Sequence, residues 1–172
     1  MDAISIVGAP TPHRAQTPDT AAGLVDASLA VAGWTDIRDA VLALEGAVAA
    51  PAGGPGWVTG VGAALQRLAD DLSAHATVED GPGGLYRRVV ADAPRLAGEV
   101  RRLRAEIDEI SSFVTWLLAV VAAGPIAQGV DWRLDVREDV NVILGKLIRH
   151  RQSDADLIYE AYTVDVGEAA DA

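Results

Sequence analysis

An all-α fold, four long helices packed as an antiparallel bundle, is what three features of this sequence predict. The chain of 172 residues is 50% hydrophobic yet only 5% aromatic. Ala, Leu and Val dominate it, which favours helix on helix over a sheet rich in Tyr, Thr and Ile. Apolar residues recur at alternating steps of three and four, the period of a helix with one buried seam. Segments rich in Gly and Pro at 51–56, 80–84 and 124–131 separate those stretches, and links this short join antiparallel neighbours. The length suits one domain with a single core.

Taken in order, residues 1–17 hold Pro10 and Pro12 and no apolar period, which predicts a flexible arm and leaves His13 as a solvated tail residue. Thr17 or Asp19 can cap a first helix running to about Ala49, with Ala30, Trp34, Ile37, Val41, Leu44 and Val48 inward. The second runs from about Trp57 to Glu79 on a seam of Val61, Leu65, Leu68 and Leu72. "LYRRVVAD" makes about two turns, and Asp92 with Pro94 forms a cap-and-proline start for a third long helix reaching Ala122. Its seam, Leu96, Val100, Leu103, Ile107, Ile110, Val114, Leu117 and Val121, has no break. The fourth, from about Trp132 to Tyr162, turns Val136, Val140, Ile143 and Leu147 inward. The bundle thus spans 18–163 and is followed by an acidic tail, 164–172. Trp116 and Trp132 flank the third connection and are expected to pack near that bundle end.

Charge and composition exclude several classes of function. A formal charge of −11 repels nucleic acid and acidic lipid alike, so neither is an expected partner. With no cysteine, there is no disulfide framework, thiolate metal site or thiol nucleophile. The uncharged run 113–130 sits at the lower edge of what spans a bilayer, but Gly124 and Pro125 interrupt it, and it reads as a core helix end plus a turn. Residues 1–7 lack the basic start and apolar run of a secretory signal, so a cytoplasmic location is expected. The glycines of "GWVTGVG" and "GPGG" follow no strand, which removes a phosphate cradle. The arginines of "RRLRAE" are expected to pair along their helix with Glu99, Glu106 and Asp108. Exposed alanine faces would permit a homodimer. Arginine in place of lysine throughout, Lys146 apart, fits a GC-rich bacterial genome.

The chemistry lies where two seams turn polar. The next two steps of the second seam land on His75 and Glu79, and those of the fourth on His150 and Asp154. An ionised carboxylate buried alone costs several kcal/mol or changes its protonation state. Residues four apart share a helix face. His75 is therefore expected to contact Glu79 and His150 to contact Asp154, the two pairs facing one another across one cavity.

The segments "LSAHATVEDGPGGLYRRVVADAPRLAGEVRRLRAEIDEI" and "IRHRQSDADLIYEAY" resemble the hemerythrin-like, or HHE cation-binding, bundles over nearly the whole chain. In that family a histidine on the first helix, HxxxE on the second, HxxxH on the third and a histidine with a following carboxylate on the fourth hold two irons. The resemblance implies an up-down-up-down four-helix bundle with its site in the core. It places His75 and Glu79 at the second-helix ligands, His150 at the fourth-helix histidine, and Asp154 or Asp156 at its carboxylate. Trp34, Ile107 and Ser111 stand where three imidazoles belong. Tyr86, Tyr159 and Tyr162 resemble aromatic positions of the family and are expected to pack with their hydroxyls at the edge.

Trp34 and Ile107 offer iron no donor, so a dinuclear centre is not expected. The expected function is instead a cofactor-free one: binding or transforming a small, mostly apolar organic molecule by isomerisation, dehydration or cyclisation, as in a biosynthetic pathway. His75 or His150 would serve as base or acid and Glu79 or Asp154 would orient it, with Trp34 and Ile107 lining the space and Ser111 donating to an oxyanion. Two alternatives remain open. One is a residual non-haem iron on His75, Glu79, His150 and Asp154, handling oxygen or peroxide. The other is a non-enzymatic interaction or regulatory module whose polar pairs only fix helix register.

Overall fold

The computed structural model describes residues 20–52, 54, 56–124 and 131–163, with side chains described from residue 34 to residue 162. The arm at 1–17 with His13, the caps Thr17 and Asp19 and the acidic tail lie outside these described residues, as does the side chain of Ala30 of the first seam. Helices α1 (Thr20–Ala49), α2 (Trp57–Asp80), α3 (Leu85–Asp92), α4 (Ala97–Ala123) and α5 (Trp132–Thr163) follow in order, with a single 3-10 turn, Pro94–Leu96, between α3 and α4. The described residues contain no strand. α1 packs on α2, α2 on α4 and α4 on α5, while α5 returns to α1 and short α3 lies against α2, α4 and α5.

The seam residues explain that packing. Every inward residue expected on α2 and α4 is buried, as are those of α5, polar steps included. A stripe of this kind stabilises a helix mainly by tertiary burial rather than by intrinsic propensity. On α1 the line is rotated slightly from expectation. Ile37, Ala40 and Leu44 are buried, whereas Trp34, Val41 and Val48 are only half-buried. Alanine at 40 lets the α1 backbone approach its neighbours closely, and so draws that edge inward in preference to the bulkier Val41.

Two local expectations are corrected. Asp92 ends α3 and caps nothing: the residues preceding the 3-10 turn and α4 are Ala93 and Leu96, neither of which makes a side-chain cap. Of the two tryptophans flanking the third connection, Trp132 packs inside as expected and Trp116 does not. Trp132 is buried edge-on against Trp57, ring centroids 5.8 Å apart, while Trp116 is 51% exposed and leans on Phe113. An aromatic pair with an 83° interplanar angle satisfies the ring quadrupoles better than a stacked one.

The apolar interior falls into two clusters. The larger contains Ile37 and Leu44 of α1, Trp57 to Leu72 of the α2 seam, Ile107 to Val121 of α4 and Trp132 to Leu147 of α5. The smaller gathers Leu85, Tyr86 and Val89 of α3, Leu96, Val100 and Leu103 around the start of α4, and Leu157 and Ala161 near the end of α5. No helix among the described residues is long and apolar enough to cross a membrane.

Candidate functional site

Between the two clusters the interior becomes polar. On α2 the series leaves the larger cluster at Leu72 and reaches His75 and Glu79; on α5 it leaves at Leu147 and reaches His150 and Asp154 before Leu157 joins the smaller cluster. These four residues are the buried polar and charged residues among those described, with 4%, 2%, 1% and 1% of their surfaces exposed respectively. Spacing alone determines this placement, because a seam that steps by three and four keeps facing the core whatever residue it carries.

The hydrogen bonds of this layer run between helices. Trp34 Nε1 donates to Asp154 Oδ2 at 3.2 Å, and the Tyr86 hydroxyl donates to Asp154 Oδ1 at 3.0 Å. Both oxygens of Asp154 thereby accept a bond, one from α1 and one from α3. His150 Nδ1 lies 3.3 Å from Glu106 Oε2 of α4. The Trp34 indole packs against both histidine rings, its centroid 5.0 Å from that of His75 and 5.8 Å from that of His150. The expected pairing along each helix is therefore corrected. Asp154 is engaged by Trp34 and Tyr86, and His150 by Glu106, because facing helices bring these donors and acceptors within hydrogen-bond reach.

A tight loop brings Tyr86 into this layer. Gly81 to Gly84 reverse the chain between α2 and α3, with Gly84 N donating to Gly81 O at 2.9 Å. A Cβ at Gly84 would stand 2.3 Å from the Glu79 carbonyl oxygen, so no other residue allows the chain to turn this closely. Arg104 of α4 braces the same corner, its Nε donating to Asp80 Oδ1 at 2.5 Å and its guanidinium standing 5.7 Å from the Tyr86 ring centroid.

Three buried atoms of the layer have no hydrogen-bond partner among the described residues: His75 Nε2, Glu79 Oε2 and His150 Nε2. A buried polar atom without a partner costs about 1–3 kcal/mol, and three of them lie in this one layer. Electrostatics sharpen this. Burial, then the charges of Asp154 and Asp80, push the Glu79 carboxyl up to about 7. Burial lowers His75, with Asp154 opposing and His150 reinforcing the shift. Burial and the adjacent Asp154 hold the Tyr86 phenol above its ordinary range, so it remains a hydrogen-bond donor. Near neutral pH the layer thus offers a carboxyl close to half-protonation and a neutral imidazole.

The remaining candidates fall into place around it. Ile107 is buried in the larger cluster, one residue beyond Glu106. Asp156 is exposed on α5 and accepts a bond from Gln152, which leaves Asp154 as the inward carboxylate. Ser111 does not join the layer. It lines an outer groove of α4 with Asp108, Ser112, Thr115, Trp116 and Ala119, and its carbonyl accepts the Thr115 hydroxyl. Tyr86, expected at the edge, is instead 2% exposed with its hydroxyl engaged. Glu106, expected on the solvated face, divides itself between Arg102 and His150. Sequence spacing could have flagged Glu106, which precedes seam residue Ile107. Nothing in the spacing marks Tyr86, whose α3 turn adds no register to the four seams.

Iron does not fit these residues. Among the described residues no three His, Asp or Glu side chains are grouped so that they could hold a metal ion. Asp154 already accepts two protein donors, and Trp34 presents an N–H where a ligand would need a lone pair. Comparison with family models, curated proteins and solved structures finds no match to this chain.

Proposed function

We propose that the chain is an antiparallel, hemerythrin-like four-helix bundle whose polar layer is a metal-free acid–base site for a small, mostly apolar organic molecule. The reversed order in which α4 and α5 traverse the two apolar clusters supports the antiparallel arrangement. The observation that carries the functional reading is the set of unpartnered buried atoms, His75 Nε2, Glu79 Oε2 and His150 Nε2.

In this reading each group has one task. Neutral His75 removes a proton from a carbon or hydroxyl of the ligand, and protonated Glu79 gives one to the developing oxyanion. That division matches the opposite directions in which burial shifts the two groups. Asp154, fixed by Trp34 and Tyr86, stabilises the imidazolium that His75 becomes. His150, oriented by Glu106, directs Nε2 at the ligand. Half-buried Trp34 contacts both imidazoles and is the side chain a ligand displaces on entry. Proton transfers of this kind serve isomerisation, dehydration or cyclisation.

A phenol is the appropriate probe, because its ionised form resembles an enolate. 4-Nitrophenol is expected to bind with a dissociation constant below about 1 mM, with an absorbance change that Glu79→Gln alters and His75→Leu abolishes. No binding to the wild-type protein at that concentration would end this reading.

The double engagement of Asp154 favours a second reading, in which the layer pins helix register and has no ligand. Thermal denaturation of His75→Leu separates the two. A site group gives an unchanged or raised melting temperature when replaced by an apolar one, whereas a network member gives a marked loss.

A further inference from the structure

Where α2 and α5 begin, three donors stand together without acceptors. Trp57 and Trp132 meet edge-on, and the Arg133 guanidinium lies 5.8 Å from the Trp57 ring centroid and 5.2 Å from that of Trp132. The two tryptophans are 4% and 2% exposed. Trp57 Nε1, Trp132 Nε1 and Arg133 Nε are all buried and have no hydrogen-bond partner among the described residues. Ring faces hold Arg133 in place of a carboxylate, for it makes no ion pair among the described residues. Asp131 and Asp135 stand two residues from it on the same helix, and residues so spaced do not face one another. Arg137, one turn on, is occupied by the Val48 and Ala50 carbonyls.

A hollow of about 310 Å³, at the small end of ligand sites, adjoins this cluster. Ala47, Ala50, Gly54, Gly56 and Gly60 line it together with Trp57, which thus belongs to both hollow and cluster. A Cβ at Gly56 or Gly60 would meet no atom within 4 Å, so small residues leave this space open.

The donors select the ligand. An indole N–H and a guanidinium donate and never accept. Water accepts two bonds but brings two protons that need acceptors, and these three side chains offer none. An ionised carboxylate accepts at both oxygens, brings no proton and meets the charge of Arg133. Both tryptophans are the first residues of their helices, so the positive ends of two helix dipoles lie here as well. The net charge of −11 repels anions at a distance. Affinity must therefore come from contact, which the apolar hollow provides for an attached chain.

We propose that the Trp57, Trp132 and Arg133 cluster and the hollow beside it form a binding site for a small carboxylate carrying a short apolar chain. The carboxylate takes the three N–H groups, and the chain lies over Ala47, Ala50 and the glycines. The site is distinct from the polar layer, because Trp57 precedes His75 by five turns of α2, about 27 Å.

Hexanoate added to the ¹⁵N-labelled full chain tests this. The four tryptophans give four indole N–H signals, assigned with Trp57→Phe and Trp132→Phe. Those of Trp57 and Trp132 are expected to shift with a dissociation constant of about 1 mM or below, while those of Trp34 and Trp116 stay. Acetate, which lacks the chain, and 1-hexanol, which lacks the charge, are expected to bind at least about tenfold more weakly. Arg133→Gln is expected to weaken hexanoate by a similar factor. Unmoved Trp57 and Trp132 signals at about 10 mM hexanoate, equal binding of 1-hexanol, or an Arg133→Gln variant that binds unchanged would each overturn the proposal. Should Arg133→Gln lose its helical circular dichroism, Gly60→Leu fills the hollow and spares every donor: lost binding supports the site and unchanged binding overturns it.

Discussion

Trp34 on α1 donates its indole N–H to Asp154 on α5 across 120 positions of sequence, and the Tyr86 hydroxyl of α3 occupies the other oxygen of the same carboxylate. Three helices thus meet at one buried group. Hydrogen bonds to a charged acceptor each contribute about 1.5–3 kcal/mol, more than neutral pairs do. Trp34→Phe and Tyr86→Phe are each expected to lower unfolding free energy by about that amount in urea titrations. The double variant should lose less than the sum, since the two donors share one carboxylate and so are coupled. Strict additivity would show that the two donors act on independent acceptors.

Stability should carry the mark of two opposed titrations. Glu79 is raised from 4.5 to about 7 in the folded chain, so between those values the folded state holds a proton that the unfolded state releases. Its contribution therefore falls as pH rises from about 4.5 to 7, by up to about 3 kcal/mol. His75 is lowered from 6.5, and its contribution is lost as pH drops below that value. Glu79→Gln should leave only the loss on acidification, and His75→Leu only the loss on alkalinisation. Denaturation midpoints of both variants between pH 5 and 8 check this, and identical profiles would contradict it.

Gly84→Ala tests the corner that delivers Tyr86. Its Cβ would press on the Glu79 carbonyl oxygen, and such overpacking against backbone costs at least about 2 kcal/mol. Relief of the clash must also shift α3. The variant is thus expected to weaken the Tyr86 bond to Asp154, visible as a lower phenol pKa in ultraviolet titration. Gly83→Ala, strained by a φ of 81° but free of contacts, should destabilise without that spectral change.

Iron offers a direct check of the donor geometry. Chain expressed with added iron is expected to purify with well under one iron per chain, since the four inward polar groups form no three-donor cluster among the described residues. About two irons per chain, with charge-transfer absorption from imidazole and carboxylate ligands, would contradict the arrangement described.

The sequence by itself determined the helices, their limits to within a residue or two except at the start of α4, and the inward line of α2, α4 and α5, because a three-and-four repeat leaves a helix one way to bury its apolar stripe. It also determined that His75, Glu79, His150 and Asp154 lie inside, since they continue those lines. Tertiary structure alone decided whom they meet. Spacing along one helix pointed to pairs four residues apart, but a hydrogen bond needs an atom at the right distance and angle, and the relative rotation of neighbouring helices sets both. That rotation set the half-buried Trp34 of α1 against both histidines and made it a donor rather than a lining, and the turn at Gly84 brought Tyr86 to Asp154. Ser111 was lost from the site for a reason its own register carried: one step off its seam, it faces outward with Thr115 and Trp116.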